Sequence, residues 1–422
     1  MTAIPSRHGV PGRIALAVAA LAAWCPPAAI AAETLAIRGD VLHTMAGPPI
    51  ADGVVVIGDG TITAVGPAAT TPVPEGAKIV RGAFVTPGLV DAHSVVGLAG
   101  YLNQPQDQDQ LDTGEAIQPE LRAVDAYNPQ ERLIEWLRGF GVTTVHTGHA
   151  PGALVAGQTM VVKLAGASVE EATLVPAAMV AVTLGDAARP ASDADGKKSP
   201  GTRSKAVAML RAQLVKGQEY LRKRGLADET KRPDRDLRLE AVARVLARDW
   251  PLLVTADRAA DIASALRIAE EFNVRIVLDS AAEAYLLVDR IKAAGVPVVV
   301  HPTMRRSGGG GETENLSFET AATLRKAGIP IALQSGYESY VPKTRVVLFE
   351  AGLAAAHGLS FEQALAAITI DAARIIGVAD RVGSLEVGKD GDVAIYDGDP
   401  FEYTTHCTGV VIDGRPVSNG PR

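Results

Sequence analysis

Four of the eight histidines in this 422-residue chain stand at the ends of short apolar runs. Imidazole titrates near neutral pH, so a histidine held at such a position can act as a general acid and base or as a metal ligand. Carboxylates close two further runs, and they can orient an imidazole, accept a proton or bind a cation. The polar residues that we single out for such chemistry are His93, His146, His149, Asp257, Asp279 and His301.

The first of these runs, "LVDAHSVV", carries an incomplete metal-binding spacing. Side chains alternate along a strand with a period of two, so a His-x-His pair would point two imidazoles to one side. Here the residue two positions after His93 is Val95, which has no ligand atom. The chain has therefore either lost a ligand at this place or builds its site from other residues.

Eight apolar runs between residues 87 and 380 alternate with segments in which apolar residues recur every three or four positions. Alternating strands and helices are typical of a parallel α/β fold, and eight such strands predict a (β/α)8 TIM barrel over 87–380. In such barrels the active site lies at the carboxyl ends of the strands. The eight runs are "LVDAHSVV", "VTTVHTG", "MVVKLAG", "MVAVTLG", "PLLVTAD", "RIVLDSA", "VPVVVHPT" and "IPIALQSG".

The two ends of the chain show a different pattern. Residues 33–86 and 381–422 contain short apolar runs separated by Gly and Asp. The "GDGT" at 58–61 is typical of a tight hairpin turn. We therefore predict that both ends pair into one small β-sandwich domain that brackets the barrel.

Charge and composition narrow the choice of partners and of compartment. A net charge of -7 and an isoelectric point near 5.7 offer no excess of positive charge to neutralise a phosphate backbone, so nucleic acid is not expected as a partner. Residues 1–32 combine two arginines, an apolar run and a small-residue tail, which are the three parts of a signal peptide. We expect its cleavage, export to the periplasm or the cell exterior, and no membrane attachment afterwards.

Two longer motifs, "GAFVTPGLVDAH" and "GSLEVGKDGDVAIYDGDP", resemble the amidohydrolase superfamily, and specifically its imidazolonepropionase-like branch. The resemblance extends over nearly the whole chain after residue 32. It implies hydrolysis of a non-peptide carbon–nitrogen bond in a small molecule. It also implies one or two divalent metal ions, often zinc, that activate water and polarise the scissile carbonyl. Barrels of this branch commonly associate, which leaves a homo-oligomer open.

The resemblance also implies a set of metal ligands, and this sequence replaces most of them. His93 matches the first ligand of the family's His-x-His, and Val95 stands at the second. Neither Lys nor Glu follows the fourth strand, and no His lies at or near Thr255 after the fifth. Ser280 and Gly336 stand where the family places a His and a proton-shuttling Asp. The cofactor is therefore unknown, although the family would bind zinc.

Three hypotheses remain open. The chain could hold an altered metal site at the strand ends, or it could hydrolyse its substrate without metal, with histidine and carboxylate as acid and base. Alternatively, it could be a catalytically inactive barrel that binds a small ligand or a protein. The residues predicted to bind a metal are His93, His146, His149 and Asp257. The residues predicted to be catalytic are His93, Asp279 and His301.

Two loops are predicted to complete the site. Residues 336–345 follow the eighth run, and the glycine-rich residues 305–315 follow the seventh and are expected to close over a ligand. Lys163, in the third run, is a candidate for bringing positive charge into the barrel. The predicted substrate-binding residues are Tyr337, Lys343 and Arg345.

Overall fold

The computed structural model describes residues 34–188, 200–305, 312–337, 346–418 and 420. The predicted signal peptide and two predicted substrate-binding residues, Lys343 and Arg345, lie outside these ranges, as does most of the glycine-rich loop. Among the helices of the described part, none is long and apolar enough to cross a membrane.

The described chain has a mixed α/β fold. Its strands are β1 (Leu35–Leu42), β2 (Ile50–Gly58), β3 (Thr61–Pro67), β4 (Lys78–Pro87), β5 (Leu89–Ser94), β6 (Val142–Thr147), β7 (Val155–Gln158), β8 (Met160–Lys163), β9 (Thr173–Val175), β10 (Val180–Thr183), β11 (Leu252–Thr255), β12 (Ile276–Ser280), β13 (Val298–Val300), β14 (Ile331–Ala332), β15 (Val393–Tyr396), β16 (Cys407–Ile412) and β17 (Arg415–Ser418). Its α-helices are α1 (Arg132–Arg138), α2 (Val169–Ala172), α3 (Arg203–Arg224), α4 (Leu237–Leu246), α5 (Ala259–Phe272), α6 (Val288–Ala294), α7 (Thr320–Lys326), α8 (Val347–Ala356), α9 (Phe361–Ala367) and α10 (Ile370–Ile375).

Strands from both ends of the chain pair in one sheet, in the order β17-β16-β15-β4-β1-β2-β3. The junction is the antiparallel pair β4–β15, in which Val85 lies opposite Ile395. Asp59 and Gly60 both have positive φ in the turn between β2 and β3, as a two-residue hairpin requires. The pairing places all seven strands in a single sheet, so it does not show the two facing sheets of the predicted sandwich. The domain boundaries at 86 and 381 stay a prediction.

The middle of the chain forms two further sheets, β14-β13-β12-β11-β10-β7 and β5-β6-β8-β9. Strands β10 to β14 are parallel, and most of their residues are buried, because helices and neighbouring segments cover both faces. The backbone amides of Ala92 and Gly336 link β5 to the segment after β14, by bonds to Leu333 O (3.3 Å) and His93 O (3.1 Å). The pairing does not join the two sheets into one closed barrel.

The third predicted strand runs in the opposite direction to the one expected. Residues 155–163 form β7 and β8, which pair antiparallel with β10 and β6 respectively. The reason is the short connection after β6: only residues 148–154 separate it from β7, whereas a parallel crossover needs a dozen or more residues. This part of the (β/α)8 prediction is therefore wrong. As a consequence, Lys163 lies opposite Thr144, near the amino end of β6.

Candidate active site

A cavity of about 210 Å³ lies where the carboxyl ends of β5, β11 and β12 meet the segment after β14. Parallel strands that end at one edge bring the residues following them together, which is why polar side chains distant in sequence share this space. Its volume is below that of pockets for drug-sized ligands, so it fits a small molecule. The residues that line it include His93, Val95, Thr255, Asp279, Ser280, Arg305, Gln334 and Tyr337.

His93 and Asp279 form a buried ion pair at the base of the cavity. His93 Nδ1 lies 2.9 Å from Asp279 Oδ1. Thr255 Oγ1 donates to Asp279 Oδ2 (2.5 Å), and Gln334 Nε2 donates to Asp279 Oδ1 (2.9 Å). The carboxylate is therefore held from three sides, and it fixes the imidazole with its Nδ1 turned toward the protein. The other ring nitrogen, Nε2, is also buried, and it has no hydrogen-bond partner among the described residues.

Charges around this pair shift its protonation. Burial alone would lower the pKa of His93, but the negative charge and hydrogen bond of Asp279 outweigh it and raise the pKa above its usual value. Burial would raise the pKa of Asp279, and the facing imidazolium lowers it instead. Asp91 on β5 and the backbone of His149 also favour protonated His93, whereas His146, whose ring centroid lies 5.8 Å away, opposes it. The pair is thus stabilised in its charged form.

Asp91 lies beside the pair and connects two strands. Its Oδ1 accepts hydrogen bonds from the backbone amides of Ser335 (3.0 Å) and His93 (3.3 Å). The side chain is fully buried, and burial raises its pKa to about 7. A carboxyl group with this pKa exchanges its proton near neutral pH, directly behind the imidazole.

A second polar group borders the cavity next to Asp279. Ser280 Oγ donates to Asp257 Oδ1 (2.6 Å), and Arg305 Nη1 donates to Ser280 Oγ (2.8 Å) and lies 3.3 Å from Asp257 Oδ2. Ser280 and Ala281 both have positive φ, 64° and 52°, an unfavourable conformation for residues with a side chain. Such strain is typical of functional sites, and here it turns the serine toward the cavity rim.

The residues predicted to bind metal do not form a metal site. In the described parts of the chain, no group of three or more His, Cys, Asp or Glu side chains is placed to hold an ion. Both ring nitrogens of His146 are already bonded, Nδ1 to Ala92 O (2.8 Å) and Nε2 to Thr159 Oγ1 (2.7 Å). Burial lowers the pKa of His146 and of His149 to about 4, which keeps both neutral. His146 is therefore a structural residue.

Val95 and Gly336, two positions at which the resemblance implies a metal ligand, lie in crowded surroundings. Val95 packs in an apolar cluster with Ala99 and Ala150, and Tyr337 covers it. Gly336 has φ 68°, and a Cβ atom there would lie 2.5 Å from Cγ of Pro302. Any side chain at this position would therefore crowd Pro302 in this arrangement.

The structure places two other candidate residues away from the cavity. His301 does not line the cavity: its Nδ1 and Nε2 face the carbonyl oxygens of Pro302 (3.0 Å) and Ser317 (3.2 Å), and Pro302 takes its place at the cavity wall. Lys163 brings no charge to the cavity, because it lies near the other end of the strands. There its Nζ contacts Asp390 (2.6 Å), Asp392 (3.1 Å) and Asp413.

Sequence reasoning missed Arg305 as a site residue. It stands four residues after His301, in a stretch that was interpreted only as a glycine-rich loop. Its place in the sequence could have indicated it, because Arg305 follows the carboxyl end of a predicted strand, where active-site residues are expected. Tyr337 was predicted to contact substrate; it lines the cavity, and its hydroxyl accepts a hydrogen bond from Gln110 Nε2 (3.1 Å).

Comparisons with known proteins agree with this architecture. The amidohydrolase family matches residues 98–418, about three quarters of the chain. The chain therefore belongs to the amidohydrolase family. This membership, together with its relatives, indicates a hydrolase that acts on carbon–nitrogen bonds.

Several curated relatives are imidazolonepropionases. The chain is 28% identical to the imidazolonepropionase of Rhizorhabdus wittichii over 84% of this chain and 91% of that protein. It is 24% identical to that of Fusobacterium nucleatum over 87% and 91% of the two chains.

Solved structures show the same fold. An amidohydrolase from Thermotoga maritima superposes with a TM-score of 0.85 and 30% identity, over 91% of this chain and 100% of that one. A molinate hydrolase superposes with a TM-score of 0.57 over 92% and 95% of the two chains, but at 18% identity it shows the fold alone.

Proposed function

We propose that this protein hydrolyses a non-peptide carbon–nitrogen bond of a small molecule with His93 as the general acid and base, without the metal centre that its family generally uses. The observation that carries the proposal is the buried His93–Asp279 pair, both of whose members line the cavity at the carboxyl ends of the strands. Family membership supports the reaction class. The finer assignment depends on the residues of the cavity.

The chemistry needs a group that first removes and then returns a proton. Neutral His93, with Nδ1 donating to Asp279, can accept a proton at Nε2 from a water molecule that attacks the carbonyl carbon. As the carbon–nitrogen bond breaks, the imidazolium gives this proton to the leaving nitrogen. The water adds across the bond, giving a carboxyl group and an amine.

The remaining cavity residues have matching roles. Asp279 stabilises the imidazolium that forms in this step, and it acts through His93, so it is a positioning residue. Arg305 supplies positive charge at the cavity rim, where it would stabilise the oxyanion of the tetrahedral intermediate. Tyr337 limits the width of the cavity and is proposed to contact the substrate.

A metal ion of the family's kind does not fit these side chains. One imidazole whose Nδ1 is bonded to a carboxylate, a valine and a glycine do not provide the three or four ligands that zinc needs. We therefore assign no step to a metal, and we prefer the metal-free hypothesis to an altered metal site.

The proposal is tested with a panel of small amides, lactams and imidazolones, with products identified by mass spectrometry. We expect at least one compound to gain a water molecule, and the reaction to be lost in His93→Gln. If no compound reacts while one of them raises the melting temperature by binding, the chain is a ligand-binding protein and the proposal is wrong.

The place of action follows from the N-terminal segment. We propose that the chain is exported and that residues 1–32 are removed, on the basis of the three-part pattern of that segment. Mass spectrometry of the protein recovered from periplasm or medium would show an N-terminus near residue 33. Recovery of the uncleaved chain only from the cytoplasm would contradict this.

A further inference from the structure

A second large concavity lies at the opposite end of the parallel strands. It is a groove of about 1060 Å³, and its walls include Pro251, Arg275, Pro297 and Pro330, which precede β11, β12, β13 and β14. The groove is therefore remote in the fold from the cavity that contains His93. Its lining includes one carboxylate, Glu270, and five arginines: Arg248, Arg267, Arg275, Arg290 and Arg374.

Most of this positive charge is not neutralised. Arg374 pairs with Asp371 (2.8 Å), but in the described ranges no carboxylate lies within 4.0 Å of the other four guanidinium groups. Arginines close by in sequence behave differently, since Arg211 and Arg244 form ion pairs of 2.8 and 2.7 Å. The chain has 48 acidic and 41 basic side chains, so its composition does not explain a cluster of unpaired positive charge.

Three of the four groups are nevertheless held in place by neutral acceptors. Arg248 donates to both the carbonyl and the side-chain oxygen of Asn273 (2.8 Å each), and Arg275 donates to the carbonyl of Asp249 (2.7 Å). Arg267 donates to Ser264 Oγ (2.7 Å). These bonds fix the guanidinium groups without cancelling their charge, which lowers the entropic cost of binding an anion.

Not every arginine needs a ligand to explain it. Arg248 bonds to Asn273, the residue that ends α5, and a cation is favourable at a helix C-terminus. Arg267 and Arg290 have no such role: Arg267 bonds only to a serine, and Arg290 has no hydrogen-bond partner in the described part of the chain. Both are exposed in the groove.

We propose that this groove binds a small phosphate anion with several negative charges, of the pyrophosphate or tripolyphosphate class. The guanidinium fork matches the oxygens of a phosphate group, and several phosphates in a row match several arginines. Nothing in this inference rests on the hydrolytic function, because the groove and the cavity share no residue. The acidic net charge of the chain conceals this local excess of positive charge.

The test is calorimetric titration of the full chain with tripolyphosphate at low ionic strength. The double variant Arg267→Gln/Arg290→Gln is expected to bind about tenfold more weakly than the unmodified chain. Arg415→Gln, which removes an exposed arginine of the terminal sheet, is the matched control and is expected to bind as the unmodified chain does. Higher salt is expected to weaken binding by the unmodified chain.

Several results would overturn the proposal: no heat of binding, equal binding by the double variant, or an equal loss in Arg415→Gln. Citrate serves as a second anion, and binding of citrate without tripolyphosphate would reject the phosphate class. Should the double variant not fold, Arg290→Gln alone is measured, because the Arg290 side chain has no hydrogen-bond partner within the described residues. A threefold or greater loss of affinity in that variant is expected, on the order of one weak charge contact.

Discussion

Two clusters of charge lie toward opposite ends of the strands in the middle of the chain, and their surroundings differ. At the carboxyl ends, His93 and Asp279 border a cavity, and one nitrogen of the imidazole is not engaged in a normal hydrogen bond. Near the other end, the ammonium group of Lys163 contacts three carboxylates in the connections next to strands of the terminal sheet: Asp390 and Asp392 just before β15, and Asp413 between β16 and β17. In the described residues, the first group, the His93 cluster, keeps a ring nitrogen without a hydrogen-bond partner beside a cavity. In the second, the Lys163 cluster, the ammonium group is fully paired with carboxylates.

This difference distinguishes a proposed catalytic ion pair from a structural one. A buried ion pair in which one polar atom has no hydrogen-bond partner lowers the stability of the fold. Such pairs are typical of sites where that atom takes part in binding or catalysis. A buried lysine with three acidic partners has no capacity left for a substrate, but it connects β8 to the terminal sheet. Burial and charge alone therefore do not identify a catalytic residue; access to a cavity does.

The largest effect is expected from a substitution in the His93 cluster. His93→Gln should lower kcat/KM by about 10²–10⁴-fold, the usual contribution of a general acid and base. His146→Gln is the matched control, since His146 is equally buried but does not line the cavity. Steady-state kinetics gives kcat/KM for both variants. Circular dichroism measures the folded fraction of each, so that a loss of folding is not read as a loss of catalysis. Equal losses in the two variants would show that His93 is only structural.

A substitution in the Lys163 cluster should lower the free energy of unfolding and leave the activity unchanged. Lys163→Met leaves the buried carboxylate of Asp392 without its main counter-charge, which we expect to cost about 3–5 kcal/mol in the free energy of unfolding. Urea unfolding measures this, with the exposed Lys216→Met as control. The folded fraction of Lys163→Met should retain the activity of the unmodified chain. A change below about 0.5 kcal/mol would contradict the assigned structural role.

The sequence predicts the α/β fold and the position of His93 at a strand end beside the cavity, because apolar runs and strand ends are local features. It could not predict the direction of residues 155–163, which depends on the length of the preceding connection and on how two neighbouring strands pair. It also grouped His146 and His301 with His93 by position. Their hydrogen bonds to Thr159 and to carbonyl oxygens depend on tertiary contacts, which sequence position does not reveal.

The pH dependence of activity should show that the Asp279 carboxylate raises the pKa of His93. His93 must be neutral to accept a proton, so kcat/KM falls as the pH drops below the pKa of His93, which Asp279 raises. Asp279→Asn removes that negative charge, and the acidic limb of the profile should move to lower pH. Asp257→Asn is the control, because Asp257 bonds to Ser280 and not to His93. An unmoved limb in Asp279→Asn would show that the titrating group is not His93.

A smaller effect is expected where the family's aspartate is replaced. Gly336→Ala should destabilise the chain by about 1–2 kcal/mol from its left-handed φ, with an added cost from contact with Pro302. Gly328→Ala provides the control, since its φ of 78° is similar but no atom lies within 4 Å of the added Cβ. Thermal unfolding should show the larger loss for Gly336→Ala. Equal losses would mean that the position can accept a side chain, and with it a ligand.

We propose that His93, positioned by Asp279, is the acid and base of a hydrolysis that needs no metal centre. The most direct measurement combines elemental analysis of the protein with the rate of turnover before and after dialysis against a chelator. We predict less than about a tenth of an equivalent of zinc, manganese or iron, since a bound catalytic ion needs three protein ligands, and a rate that chelation leaves unchanged. Stoichiometric metal, with activity that disappears on chelation and returns when zinc is added, would contradict the claim.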